Sequence, residues 1–249
     1  MKILKAKTIT RLQETTVEES KKIHTNCLWI TAALAAVFLL CIGCQSSLLP
    51  KEDNTLQLLK INSILNNRIL VFNKKVLPKA LSTIQSGDLI TRMGMDITSL
   101  LLSKINKTDT SFSHCGIAVI EHDTVFVYHT MGGEFNPDQK MLREPFYLFA
   151  NPQNSKAIGI FRPTLTPEQN EFLVSNIVIK FKAGLMFDMD FDLATDDRQY
   201  CAEMVAKCFG GALKNMNWVN VSKSENLRYI SVESLYLNTT MLELKRYQY

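Results

Sequence analysis

The chain has 249 residues, 46% of them hydrophobic and 21% charged, enough for one well-filled core and too few for two large domains. Residues 1–43 hold six of the 28 Lys/Arg and three of the 24 Asp/Glu, so the formal charge of +4 falls to +1 for the body behind them. A nearly neutral body lacks the basic face needed to displace counterions from phosphates, which excludes nucleic acid as a partner.

Residues 28–43 carry no charge and follow Lys21-Lys22, the layout of a basic region and an apolar core in an export leader. That run is 16 residues long, short of the roughly 20 that a comfortable membrane-spanning helix needs. It ends in Leu40-Cys41-Ile42-Gly43-Cys44, which resembles the lipobox of bacterial lipoproteins and implies Cys44 as a lipidated mature N-terminus. An uncleaved signal anchor is the other reading of the same run. Either way the body is expected to be exported and held at a membrane of the cell envelope, at the outer membrane or the periplasmic face. The domain expectation is a leader over 1–43, a polar linker over 44–54 and a single domain over 55–249.

From Thr55 to Asn73 apolar residues recur at helical spacing, predicting an amphipathic helix. Ser86-Gly87 reads as a turn, 88–92 as a strand, and 96–104 as a short helix capped by Asp96. Strands at 113–120 and 124–130 are joined by a turn at 121–123, so a β-hairpin carries both His114 and His129. Residues 131–156 read as a long loop with one helical turn near Pro145, and 157–162 as a further strand. A helix over 167–182 has Thr166 as N-cap, Pro167 at its first position and Gly184 as its stop. Phe187 to Asp192 alternate apolar and acidic residues, predicting a short extended segment. Thr195, Asp196 and Asp197 are N-cap candidates for a helix through Phe209, ended by Gly210-Gly211, and 231–237 is a final short helix.

Cys201 falls in or near the first turn of that cysteine helix. There unpaired backbone N–H groups and the positive end of the helix dipole stabilise a thiolate, the species that attacks carbonyls. Residues 201, 204, 205 and 208 also share one helical face, so the same spacing fits an ordinary core cysteine. A thiol nucleophile requires a base, and the chain offers four histidines: His24, His114, His122 and His129. His24 precedes the apolar leader and His122 sits in a hairpin turn. His114 opens a strand, on a rigid scaffold. The six cysteines (27, 41, 44, 115, 201 and 208) leave three in the body, which is no disulfide framework. No Cys-x-x-Cys pair, zinc pattern or glycine-rich phosphate loop appears, so no metal or cofactor is expected.

Three pieces in order, Ser86-Gly87-Asp88-Leu89-Ile90, Phe112-Ser113-His114-Cys115-Gly116-Ile117 and Asp196 to Val205, resemble the circularly permuted NlpC-type cysteine hydrolases, the YiiX/YebB-like group of the papain-like superfamily. The resemblance extends over about 84–244, including Ile230 to Tyr236, and implies an α+β papain-like fold with an antiparallel sheet packed against helices. It implies Cys201 as nucleophile, His114 as base and Tyr200 as a neighbour that helps polarise the substrate carbonyl. The third, orienting position, often Glu in relatives, falls here on His129, which fixes a tautomer but brings no negative charge. A half-buried packing histidine is the alternative for His129. The functional expectation is a membrane-anchored thiol hydrolase that cleaves an amide or ester in a peptidoglycan peptide or an acyl lipid. A catalytically silent envelope module holding a peptide or lipid in the same cleft is the competing expectation.

Overall fold

β-branched and aromatic runs pair into a six-stranded antiparallel sheet with strand order β4-β3-β2-β1-β5-β8. Its strands are β1 (Leu89–Gly94), β2 (His114–Glu121), β3 (Thr124–His129), β4 (Leu142–Pro145), β5 (Ser155–Pro163) and β8 (Met241–Gln248). A separate two-stranded ribbon is formed by β6 (Ser222–Ser224) and β7 (Leu227–Tyr229). This computed structural model describes residues 54–224 and 227–249, so the leader over 1–43 and Cys44 lie outside the described residues. Residues 58–249 form one compact unit.

Period-two alternation sends successive side chains to opposite faces of the sheet, and both faces are covered. Leu89, Cys115, Ile117 and Val119 pack toward α5 (Pro167–Ala183) and α6 (Cys201–Leu213), meeting Leu173, Ile177, Met204, Val205 and Cys208. Ile90, Ala118, Val125, Val127, Ile158 and Ile160 face the other way. They bury Phe72, Val76 and Ala80, from the π-turn Phe72–Val76 and α2 (Leu77–Thr83), with Phe146 and Phe149 of α4 (Phe146–Phe149). This α+β arrangement is the one that the papain-like resemblance implied.

Local signals act where they were expected. The predicted helix near Asp96 is α3 (Ile97–Ile105), whose cap Asp96 accepts the Ser99 N–H. Thr166 and Gln169 close a capping box on α5, and Gly184 ends it in the left-handed region at φ 75°. His122 and Asp123 take positive φ at the β2–β3 turn, matching the right-handed twist of the hairpin. Gly87 at φ 95° lies against the Asn170 side chain, and Asp88 beyond it is buried, accepting both Arg162 Nε and Nη2 at 2.8 Å. The Gly-Asp pair is therefore a brace between β1 and β5.

Four expectations need correction. The loop over 131–156 contains β4, which Pro145 ends at a sheet edge where a missing N–H costs no ladder bond. The alternating 187–192 run is a hydrogen-bonded turn instead of an extended segment, because the buried Asp188 carboxylate accepts the N–H groups of Asp190 and Asp192 and Phe191 takes φ 55°. The cysteine helix is capped by Tyr200 instead of Thr195, Asp196 or Asp197, and it runs past Gly210-Gly211 to Leu213. Finally, Leu58, Leu59, Ile61 and Ile64 of α1 (Asn54–Val71) are exposed and do not form a core-facing stripe.

Candidate active site

Cys201 is the first residue of α6. Tyr200 precedes it with extended dihedrals (φ −78°, ψ 169°), and Glu203 reaches back to accept the Tyr200 N–H at 3.3 Å, which fixes where the helix begins. The thiol is nearly buried and its pKa is lowered. The Cys115 thiol, which donates a hydrogen bond to it, is the main cause; the backbone N–H groups of Cys115 and Ala202 and the Arg92 charge add to this against the cost of burial. Burial first, and then the same contact, push the Cys115 thiol well up, so of the two thiols Cys201 is the one that gives up its proton more readily. Both cysteines, and Cys208, are free thiols.

The base and its supports climb across three consecutive strands. His114 Nε2 lies 2.9 Å from His129 Nδ1, and His129 Nε2 lies 3.0 Å from a carboxylate oxygen of Glu144 on β4. Their spacing follows from the register: Glu144 pairs with Val127, two residues from His129, and each step is a diagonal neighbour across the sheet. Hydrogen-bonding logic then assigns every proton. The Glu144 carboxylate, held below its ordinary pKa chiefly by its bond to His129, can only accept, so His129 donates from Nε2. His129 Nδ1 in turn accepts from His114 Nε2–H, which leaves the lone pair on His114 Nδ1 free to take a proton. Burial, then Arg92 and His129, lower the His114 pKa well below 6.5, so it rests neutral, as a base must. His129 is lowered as well, mainly by burial, with the Glu144 bond opposing.

Gly116 explains how the strands come so close. A Cβ there would stand 2.6 Å from the Tyr128 carbonyl oxygen and 2.9 Å from His129 Cβ, so the Ser-His-Cys-Gly motif spaces the base from its support. Behind His114, Glu233 of α7 (Val232–Tyr236) accepts the backbone N–H groups of Lys107, Thr108 and Asp109, clamping the loop that leads into β2.

The structure brings Cys201, His114 and Tyr200 to the wall of one cleft of about 880 Å³. No hydrogen bond joins Cys201 to His114, whose apo separation is often longer than in a substrate complex. The Tyr200 hydroxyl accepts the Ile230 N–H at 2.7 Å and so ties the helix start to the segment before α7. The cleft is mainly apolar, with Leu102, Met131, Phe187, Phe191 and Ile230 on its walls. Arg92 enters it from β1, paired in register with His114, its guanidinium 4.6 Å from the Phe149 ring centroid. Two participants were missed from sequence. Glu144 lay in a segment read as loop, and the expected carboxylate is present one strand beyond the position where it was sought. Arg92 carried no motif; only its place four residues after Asp88 in a strand pointed inward.

A family described as permuted papain-like amidase enzymes, YaeF/YiiX, C92, matches residues 83–238. The chain is 25% identical over 182 residues to the uncharacterised protein YiiX of Escherichia coli K12, covering 72% of this chain and 82% of that one. It shares its fold with a crystal structure described as the metalloprotein YiiX of Escherichia coli O157:H7, at 18% identity and a TM-score of 0.53, over 66% of this chain and 98% of that one. Among the described residues no group of three or more His, Cys, Asp or Glu side chains is placed to hold a metal ion.

Proposed function

This chain belongs to the C92 family of permuted papain-like amidase enzymes, the YaeF/YiiX group, and on that footing we propose that it is a cysteine hydrolase cleaving an amide or ester through an acyl-enzyme. The observation that carries this reading is the Glu144-His129-His114 relay, which delivers an unprotonated nitrogen to the cleft that Cys201 lines. His114 removes the Cys201 proton and the sulfur attacks the substrate carbonyl carbon. The carbonyl oxygen takes up the negative charge, stabilised by backbone N–H groups at the start of α6. As the C–N or C–O bond breaks, His114 returns the proton to the leaving amine or alcohol. Water, deprotonated by the same nitrogen, then splits the thioester and restores the thiol. Glu144 supplies the negative charge that His129 alone lacks, at one remove from the imidazolium.

Of the two substrate candidates, peptidoglycan peptide and acyl lipid, the apolar cleft favours the acyl chain: a Leu, Phe and Met lining gains from burying methylenes at about 0.8 kcal/mol each. We also propose that the protein is exported and anchored by lipid on Cys44, a reading that rests on Gly43-Cys44 behind the apolar run. The test is incubation of the full chain, and of its Cys201→Ala variant, with purified peptidoglycan and with acyl lipids, reading products by mass spectrometry. Products formed equally by the variant, or by neither protein, would refute the hydrolase. Persistence of a clickable fatty-acid label in Cys44→Ala would refute the anchor.

A further inference from the structure

Arg92 is a cation placed in an apolar cleft with much of its donor capacity unspent. Its Nη1 donates to the Phe149 carbonyl at 2.8 Å, and the nearest partner of Nη2 is a thioether, Met131 Sδ at 3.4 Å, a weak acceptor. Among the described residues Arg92 makes no ion pair, although Arg143, Arg162, Arg198 and Arg246 each find a carboxylate. No other hydrogen-bond partner of the guanidinium is found among the described residues. Glu144, Cys201 and Asp96 act on its charge from a distance, but none is hydrogen-bonded to it. An acyl chain lying along Leu102, Met131 and Ile230 would therefore desolvate a guanidinium that has no directly paired anion, which is unfavourable.

Resting on the hydrolase reading, we propose that the Arg92 guanidinium receives an anionic oxygen group, a carboxylate or a phosphate, carried on the leaving side of the substrate. The class of substrate is then an anionic amphiphile: an acyl chain joined through an amide or ester to a small head that bears the charge close to the bond cleaved. The geometry decides which side carries it. Arg92 pairs with His114 across β1 and β2, and His114 is the group that hands a proton to the departing amine, so the head and the cation share one end of the cleft. A guanidinium fork suits both anions because it offers two parallel N–H bonds to planar or tetrahedral oxygens.

The test compares three amides of one chain length on the full-length protein: N-lauroylglycine, N-lauroyl phosphoethanolamine and the neutral N-lauroylglycinamide. At least one anionic amide should exceed the neutral one by about tenfold or more in kcat/KM, consistent with a charge-assisted bond gained only by the anion. Which one does so separates carboxylate from phosphate. Arg92→Gln should bring that ratio close to one, and Arg92→Lys should retain part of it; thermal melts confirm that each variant is folded. Wild-type protein that shows no charge preference, or Arg92→Gln that keeps it, overturns the proposal. If none of the amides is cleaved, calorimetric binding of the same three compounds to Cys201→Ala, with and without Arg92→Gln, decides it: an Arg92-dependent preference upholds the anion site while the hydrolase reading fails. Equal binding of all three overturns the site.

Discussion

Replacing Glu144 with Gln keeps an acceptor for His129 Nε2–H and deletes one charge, so it isolates what the carboxylate contributes. Two bonds of 3.0 and 2.9 Å and the width of one imidazole ring place that charge about 8 Å from His114 Nε2. At an effective dielectric constant near 20, a unit charge at this range stabilises an imidazolium by about 2 kcal/mol, or about thirtyfold in the proton-transfer step. The Glu144 side chain is 32% exposed, and solvent screening trims the effect toward about 1 kcal/mol, or about fivefold. The expected result is a kcat/KM lowered between these bounds, measured per titrated thiol, with a melting temperature close to wild type. Loss of an anion also makes His114 harder to protonate, so the acid limb of the pH profile should move to lower pH. A rate within twofold of wild type and an unmoved acid limb would remove Glu144 from the relay.

Gly116→Ala should cost about 1–3 kcal/mol of stability by overpacking against the β3 backbone, and should lower turnover per folded molecule by moving His129; a melt beside a titrated rate separates the two effects. Cys115→Ala should slow alkylation of Cys201 by iodoacetamide at pH 6, because the donor that most favours the thiolate is gone; an unchanged rate would show that Cys115 does not tune it. Burial pushes the Glu203 carboxyl up to about 7. A carboxyl raised in the folded state contributes its stability fully below the unfolded value of 4.5 and loses it as pH rises through 7. The melting-temperature advantage of Glu203→Gln should therefore grow between these two values and level off above them, and a difference independent of pH would contradict the assignment.

Most of the fold was legible because its signals are local. Thr166-Pro167, Asp96 and the turn at His122-Asp123 each act within a few residues through caps and dihedral preferences. Cys201 and His114 were legible because each opens an element, at a helix start and a strand start. What escaped depended on the third dimension. β4 is four residues long at a sheet edge, too short for alternation to show, and it takes its identity from pairing with β3. Tyr200 displaces the better capping residues because Glu203 reaches back to it and Ile230 holds its hydroxyl. Asp188 folds the 187–192 stretch on itself, a choice that a pattern of alternating polarity conceals. Arg92 stands out by lining the cleft without a directly paired carboxylate, a combination of place and partner that sequence does not display.

The chain lays down the whole base assembly within residues 114–144, on neighbouring hairpins, and delivers the sulfur more than fifty positions later with a helix that docks against β2. The two reacting groups thus belong to different structural pieces joined along a seam of Cys115, Ile117, Met204 and Val205. Anything that lifts α6 from the sheet, whether mild denaturant or a nick in the 187–199 segment, parts sulfur from nitrogen while leaving the relay intact. Activity should therefore fade ahead of the sheet's own spectroscopic signature. It should also return when the severed pieces are mixed, since each half carries one complete reactant and a matching apolar surface.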